Sequence, residues 1–355
     1  MWDTLGRRLQ LVKKSIVNNK ILESSIRRPT ITDTFGRVFS YARIALNERC
    51  NLRCIYCMPE KGVNFLPSEE LLKTDEIRRL ISIFSINGVK KIRFTGGEPL
   101  LHKDILDIIS YSSRIKEIDS IHLTTNGLLL GKMALTLFEA GLKGINISLD
   151  TLDDKKFEKI TRRKGLKKVM KGLQTVLELP FQSVKLNVVC MRDFNHMEIG
   201  DFIELARDLP LTIRFIELMP FDSHQIWKTG KFIGAKEIEE EIRLLFPNVV
   251  LDSGTSTEHK LFRIPGYVGK VGIIPSFTRS LCSSCNRIRL TADGKIRNCL
   301  YSDDEFDLKK LLRSFRSDKD IELVIRKAMQ LKSEDGWSAQ KLKERYRESM
   351  TQIGG

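Results

Sequence analysis

Short β-branched and apolar runs recur along the first part of the chain, at Tyr41 to Leu46, Lys90 to Thr95, Ile121 to Thr125, Gly144 to Leu149, Val184 to Val189 and Thr212 to Leu218. Each has the length of a strand. Between them, apolar residues return at intervals of three and four. In Asp75 to Ile86 these are Ile77, Leu80, Ile81 and Phe84, one face of a helix, with Thr74 standing where a capping hydroxyl belongs. Helices are expected likewise at Lys103 to Arg114, Lys132 to Ala140, Lys167 to Leu177 and Glu198 to Asp208. Strands that alternate with helices predict an α/β fold with a parallel sheet, because consecutive parallel strands need a crossover between them. Six such units amount to three quarters of a (βα)8 barrel, a partial (βα)6 arrangement of the TIM type, in which chemistry gathers where the strands end.

After about Ile233 the rhythm changes. A helix is expected at Lys236 to Phe246 and strands at Lys260 to Ile264 and Lys270 to Ile274. Ala292-Asp293-Gly294 reads as a hairpin turn, since Asp-Gly suits a tight connection. Charged helical segments follow, and the chain ends in Gly354-Gly355. The expected organisation is an N-terminal extension over 1–32, the partial barrel over 33–233 and a C-terminal α+β appendage over 234–355. No repeat of solenoid period and no low-complexity tract interrupts it.

The 355 residues are 41% hydrophobic and 30% charged, ordinary for a soluble globular protein that buries its core without disulfides. No apolar run approaches the ~20 residues of a membrane helix, so no membrane association is expected. A net charge of +15 suits polyanions. Lys and Arg are nevertheless spread along the whole chain, which favours a solvated surface or a basic cavity for a nucleoside triphosphate over a nucleic-acid-binding face. Residues 1–32 hold Arg7, Arg8, Lys13, Lys14, Lys20, Arg27 and Arg28 against only Asp3 and Glu23. They are read as an extension on a bacterial, cytoplasmic protein; the alternative is a transit peptide to the mitochondrial matrix.

Six of the seven cysteines fall into two triplets. Cys50, Cys54 and Cys57 form C-x3-C-x2-C just past the first strand, and Cys282, Cys285 and Cys299 form C-x2-C-x13-C in the appendage. Such clustering points to metal ligation in a reducing compartment. Cys190, alone on the fifth strand, reads as a buried thiol. Structural zinc normally takes four Cys or His ligands, and no nearby His completes either set. Iron-sulfur clusters are held by thiolates, and three protein ligands leave one iron open.

The run Arg49-Cys50-Asn51-Leu52-Arg53-Cys54-Ile55-Tyr56-Cys57 resembles the radical S-adenosylmethionine (SAM) superfamily. Thr95-Gly96-Gly97-Glu98-Pro99, at the end of the second strand, is similar to the motif by which that superfamily holds the methionine part of SAM. Residues without side chains let a backbone approach a ligand closely. Within the superfamily the chain resembles the GTP 3′,8-cyclase family of molybdenum cofactor biosynthesis, from Asp33-Thr34-Phe35-Gly36-Arg37 to Gly354-Gly355.

The resemblance implies two [4Fe-4S] clusters, one on each triplet, with the open iron of the second facing the guanine base. It implies a SAM site at Tyr56, Gly97, Ser148 and Met219, and a GTP site at Arg43, Arg93, Thr124, Lys185, Arg287 and Arg289. On a strand, Arg287 and Arg289 would share one face, and guanidinium forks suit phosphate. The resemblance further implies that Gly354 and Gly355 enter the active site and are needed for catalysis. It implies a 5′-deoxyadenosyl radical that takes hydrogen from C3′ of GTP, giving 3′,8-cyclo-7,8-dihydro-GTP. Expected partners are flavodoxin or ferredoxin as electron donor, the downstream cyclic pyranopterin monophosphate synthase, and a second copy in a homodimer. Ala42, Ala45 and Asn47 depart from the family's usual first strand, while Arg43 is retained. The rival readings are a peptide-modifying radical SAM maturase and a basic zinc or nucleic-acid-binding protein.

Overall fold

The computed structural model describes residues 30–59, 61–219, 230–252, 259–341 and 349–353. The N-terminal extension up to residue 29 and Gly354-Gly355 lie outside them.

Six strands run through the first part of the chain: β1 (Tyr41–Ala45), β2 (Lys91–Thr95), β3 (Ser120–Thr125), β4 (Gly144–Ser148), β5 (Ser183–Cys190) and β6 (Leu211–Glu217). They pair in parallel and in sequence order. Helices α1 (Thr74–Ile86), α2 (Ile105–Ser113), α3 (Leu130–Glu139), α4 (Asp154–Thr161), α5 (Leu166–Leu177) and α6 (Ile199–Glu204) fall between them. In β5 the alternation is plain. Val184, Leu186, Val188 and Cys190 are buried and belong to one apolar core with the helices, while Ser183, Lys185, Asn187 and Val189 take the other face.

The remaining elements extend both edges of this sheet. After α7 (Ala235–Leu245) come β7 (Val250–Leu251), β8 (Lys260–Arg263) and β9 (Lys270–Ile274), an antiparallel set whose β9 pairs in parallel with β6. Then β10 (Arg287–Leu290) pairs in parallel with β1, and β11 (Lys295–Arg297) and β12 (Glu305–Asp307) continue outward antiparallel. Among the described residues the strands thus form one twelve-stranded sheet in the order β12-β11-β10-β1-β2-β3-β4-β5-β6-β9-β8-β7. Helices α8 (Leu308–Arg313) and α9 (Asp318–Gln330) contribute Leu308, Leu312, Ile321 and Ile325 to the shared core, and the short α10 (Gly336–Lys341) follows.

Most predicted strands and helices fall within two residues of their expected bounds. Two expectations need correction, and one helix is not among those expected. Thr74 is the first residue of α1 and not its cap: its hydroxyl is spent on Asp104 at 2.6 Å, and the helix start is closed by the Glu76 carboxylate on the Lys73 amide at 2.7 Å. The helix expected over Glu198 to Asp208 is regular only from Ile199 to Glu204. At its start Glu198 is drawn inward, accepting from Thr151 Oγ1, Leu152 N and Lys156 Nζ, each within 2.9 Å. At its end the amides of Ala206 and Arg207 bond three residues back, tightening the chain before β6. Helix α4 escapes the periodicity, because Phe157 and Ile160 are its only large apolar residues; its N-terminus is fixed by Asp153 accepting from Lys156 N at 2.8 Å. Among the described residues no helix is long and apolar enough to cross a membrane.

Candidate active site

The face of β1 to β6 turned away from the helices is polar. In a closed barrel that face would be filled by branched apolar side chains; here it carries Arg43 and Arg93, Thr124, Asn146 and Ser148, Asn187 and Arg214, all lining one cavity of about 300 Å³. β10 adds Arg287 and Arg289. Register sets Arg43 directly beside Arg289 on one side and Arg93 on the other, so three arginines stand in one row across β10, β1 and β2. Arg93 and Arg289 are 2% and 5% exposed. Burial lowers the affinity of the Arg289 guanidinium for its proton, and the neighbouring charges of Arg43 and Arg287 lower it further, to about 9. Like charges packed this closely and away from water oppose folding unless an anion joins them.

The first triplet lies on the loop that leaves β1. Main-chain bonds fix that loop to the end of α4, Arg53 N to Thr161 O and Ile55 N to Ile160 O, both 2.9 Å. Ile55 and Tyr56 rest on a small apolar cluster of Ile160, Met191 and Leu218. Tyr56 donates to Asp150 Oδ2 at 2.7 Å, and burial pushes the Asp150 carboxyl up to about 6. All three cysteines line the cavity. Burial raises their thiol pKa values, that of Cys57 to about 12 with help from Cys50's charge, and Cys54 also feels the charges of Cys57 and Cys50. A bound cation would reverse that balance, since metal ions hold cysteine as thiolate.

The turn after β2 passes very close to this loop. A Cβ on Gly96 would meet the Asn47 carbonyl oxygen at 2.3 Å, and one on Gly97 the Arg49 carbonyl oxygen at 2.3 Å. Gly96 also has φ +133, a conformation that side chains rarely permit. Glu98 then turns inward, and its carboxylate accepts from Leu100 N, Thr125 Oγ1 and Asn126 N within 3.0 Å. Burial raises this carboxyl to about 7. Asn126, so held, directs Nδ2 to Asn51 at 2.7 Å and to Cys50 Sγ at 3.7 Å.

In the second triplet, Cys282 and Cys285 lie between β9 and β10 and Cys299 just past β11, and all three line an adjoining cavity of about 90 Å³. Ile274, Ser276, Arg287, Arg289 and Leu300 border both cavities. Its setting is cationic: burial pushes the Cys285 thiol up, but Arg287 and Lys332 outweigh this and bring it down to about 6. Glu217, at the end of β6, accepts from Phe277 N, Thr278 N and Ala235 N at 2.6 to 2.8 Å, fastening the chain that leads into this triplet. The two triplets, 225 residues apart between Cys57 and Cys282, thus line adjoining cavities that share Arg287 and Arg289.

Of the residues singled out from sequence, the larger cavity gathers Cys50, Cys54 and Cys57; Tyr56, Gly97, Ser148 and Met219; and Arg43, Arg93, Thr124, Arg287 and Arg289. Lys185 shares the inner face of β5 with Asn187 but stands outside the lining, two residues toward the start of the strand. Gly354 and Gly355 lie outside the described residues. The segment before them does reach the site: Met350 and Thr351 line the cavity, and the Cys57 carbonyl accepts from Ser349 Oγ at 2.9 Å and Met350 N at 3.3 Å. Sequence reasoning quotes Glu98 only as part of the motif Thr95 to Pro99, without its inward bonds, and misses Asn126, Glu217 and Arg214. For Arg214 a signal exists, a single cation inside the apolar run Leu211–Glu217.

The residues present fit a cluster and an anionic ligand. Among the described residues, no three His, Cys, Asp or Glu side chains close on one point as a single ion would require; the thiolates of an iron-sulfur cube bind separate irons and stand farther apart. Arg289 Nη1, Thr124 Oγ1 and Asn146 Oδ1 are buried in the wall with no hydrogen-bond partner among the described residues. Buried polar atoms are rarely left so.

Residues 44–206 match the Radical SAM superfamily, and residues 211–337 match Molybdenum Cofactor Synthesis C. The solved structure of Streptococcus suis SuiB bound to S-adenosylmethionine superposes with a TM-score of 0.57 over 79% of this chain and 67% of that one. At 15% identity that likeness shows the fold alone. Fold and cysteine loop together define a radical SAM enzyme, a class that implies a [4Fe-4S] cluster and SAM. The chain is 43% identical over 331 residues to the GTP 3′,8-cyclase of Chlorobaculum tepidum, covering 93% of this chain and 99% of that one. It is 45% identical over 304 residues to the mitochondrial GTP 3′,8-cyclase of Arabidopsis thaliana, covering 85% and 77%. It is likewise 45% identical over 297 residues to human molybdenum cofactor biosynthesis protein 1, spanning 83% of this chain and 46% of that longer protein. The chain belongs to the GTP 3′,8-cyclase family.

Proposed function

We propose that this chain converts GTP to (8S)-3′,8-cyclo-7,8-dihydroguanosine 5′-triphosphate in molybdenum cofactor biosynthesis. The observation that carries the reading is the row Arg289, Arg43 and Arg93, with Arg93 and Arg289 buried, lining the cavity of the first three cysteines while Arg289 also borders the cavity of the second three. A triphosphate is complementary in charge to such a row, and planar guanidinium forks pair with phosphate oxygens.

In this reading the first triplet holds one [4Fe-4S] cluster, and Tyr56, Gly97, Ser148 and Met219 hold SAM against it. Cluster and SAM together supply a 5′-deoxyadenosyl radical when bound. Cys282, Cys285 and Cys299 hold a second [4Fe-4S] cluster that receives the base. Arg43, Arg93, Arg287 and Arg289 orient the triphosphate with Thr124, and Lys185 joins them from the same face below Asn187. Gly354 and Gly355 close the site from the end that Met350 and Thr351 already occupy. The strands β1 to β6 are read as a partial (βα)6 barrel over 33–233, residues 234–355 as the appendage that carries the GTP half, and 1–32 as an extension. Flavodoxin or ferredoxin as reductant, a homodimer, hand-over to cyclic pyranopterin monophosphate synthase and a cytoplasmic location complete the proposal.

The direct test is anaerobic incubation of the reconstituted protein with SAM, reductant and separate nucleotides, followed by mass analysis. GTP should give the cyclised product with 5′-deoxyadenosine. Product from another nucleotide, and none from GTP, would refute the substrate.

Two further results are expected. Changing Arg287 or Arg289 to Ala removes charge-assisted bonds of roughly 1.5 to 3 kcal/mol each. The GTP dissociation constant should rise at least about tenfold while that of SAM stays near its original value; calorimetry on both ligands checks this, and equal losses would indicate a folding defect. Changing Cys299 to Ala should leave the first cluster's absorption and SAM cleavage in place while GTP binding weakens and cyclisation is lost. Normal product from that variant would remove the case for a second cluster.

A further inference from the structure

The segment Asp33-Thr34-Phe35-Gly36-Arg37 belongs to none of the site's strands, yet it ends in a buried guanidinium. Thr32 and Val38 bridge antiparallel to close the turn. Inside it, Asp33 Oδ1 accepts the amides of Phe35 at 3.0 Å and Arg37 at 2.9 Å, and Oδ2 takes Arg37 Nε at 2.5 Å. The acid thus aims the arginine outward. Nη1 then donates to the carbonyls of Cys282 at 3.1 Å and Glu334 at 2.6 Å, and Nη2 to that of Ser333 at 2.7 Å. One side chain, 8% exposed, ties the N-terminal turn to the first cysteine of the second triplet and to the turn before α10.

A second arginine holds the same cysteine from the other side. The Cys282 amide donates to the Arg279 carbonyl at 3.1 Å. The Arg279 guanidinium is stacked between the rings of Tyr301, at 3.7 Å, and Trp337, at 4.0 Å, and donates to Gly336 O and Gln340 Oε1. Tyr301 follows Cys299 by two residues. The Arg37 guanidinium and the Arg279 carbonyl thereby hold the main chain at Cys282, and both residues line the smaller cavity.

We infer that Arg37 is a positioning residue for the second cluster, setting the Cys282 main chain so that its sulfur meets an iron corner. This rests on the reading of Cys282, Cys285 and Cys299 as cluster ligands. The task calls for the planar fork: a lysine keeps the charge but is a point donor on a flexible stem, unable to serve one carboxylate and three carbonyls together.

The test uses the full chain carrying Cys50→Ala, Cys54→Ala and Cys57→Ala, so that the second triplet alone takes up iron. After anaerobic reconstitution with iron and sulfide, this parent should hold about four irons. Adding Arg37→Lys or Arg37→Gln should cut the iron at least by half and shift or broaden the paramagnetic resonance lines of the reduced cluster. The melting temperature should move by less than about 3 °C. In the chain with its first triplet intact, the first cluster's spectrum should be unchanged. Full iron with unaltered lines in Arg37→Lys would overturn the inference, as would loss of both clusters together with cooperative unfolding, which would mark Arg37 as merely structural. A parent that takes up no iron would instead overturn the second-cluster reading itself.

Discussion

Alanine in place of Cys50, Cys54 or Cys57 is expected to abolish reductive cleavage of SAM while leaving the fold intact. Sulfur accepts only weak bonds in this loop, Cys50 Sγ from Leu52 N at 3.4 Å and from Asn126 Nδ2 at 3.7 Å, and the stronger fastenings do not need it. The loop is fastened by main-chain bonds from Arg53 and Ile55 to the end of α4, by Arg162 Nη1 on the carbonyls of Arg53 and Met58 at 3.0 and 3.1 Å, and by Tyr56 on Asp150. None of these involves sulfur. A thiol removed therefore leaves the loop in place but takes one of three protein ligands, and a site with two thiolates no longer supports the cluster whose open iron SAM requires. The measurement is 5′-deoxyadenosine formed under excess reductant, read beside the melting temperature and the affinity for GTP. The expected outcome is background 5′-deoxyadenosine with the other two preserved. Substantial 5′-deoxyadenosine from any one variant would overturn the assignment of the first triplet.

The parts of the site that sequence makes visible are those whose chemistry is carried by residue type and local spacing. Three cysteines within eight positions, or two glycines before Glu98-Pro99, declare themselves without a fold. The alternation of β1 to β6 tells which residues of one strand share a face, but Arg43, Arg93 and Thr124 are singled out by the family resemblance and not by the period of two. Register is different. That Arg43 stands between Arg289 and Arg93 depends on β10 adding to the edge at β1, across more than 240 residues of chain, and no local pattern encodes that pairing. The same holds for β9 on β6. Sequence treats the C-terminal part as an appendage; in the structure its strands continue the sheet at both ends, which is how the second triplet comes to line a cavity adjoining that of the first.

Positioning residues are hidden for a related reason. Asn126 reaches Cys50 only because Glu98 holds its amide, and Arg37 reaches Cys282 across 245 positions. An asparagine or arginine in a loop has many uses, and only its partners distinguish them. Lys185 illustrates the converse: the resemblance singles it out and it shares the inner face of β5 with Asn187, but depth along the strand, which decides whether it meets the cavity, is set by the stagger of neighbouring strands. Helix α4 is invisible to periodicity because its stability comes from the Asp153 cap and from packing of Phe157 and Ile160, not from an apolar stripe.

Removal of Gly354 and Gly355 is expected to lower cyclisation by orders of magnitude while cluster content and GTP affinity stay near their original values. The supporting geometry stops just short of the pair. Ser349 and Met350 hold the Cys57 carbonyl, Thr351 N is fixed on Ser349 Oγ at 3.2 Å, and Ile353 is buried. A truncation after Ile353 leaves all of these contacts in place. Chain ends are ordinarily tolerant of change, and ordering two more residues costs roughly 1 to 2 kcal/mol each. That cost is met only if the pair gains contacts with substrate and SAM, and a backbone without Cβ is the one that threads between two ligands and takes either sign of φ. The full-length double variant Gly354→Ala, Gly355→Ala separates length from conformational freedom, and should recover only part of the lost rate. The measurements are product formation, iron per chain and the GTP dissociation constant on the same preparation. Unchanged turnover in the truncated enzyme would reduce the pair to an ordinary frayed end; lost turnover accompanied by lost iron would instead place its effect on the first triplet through Cys57.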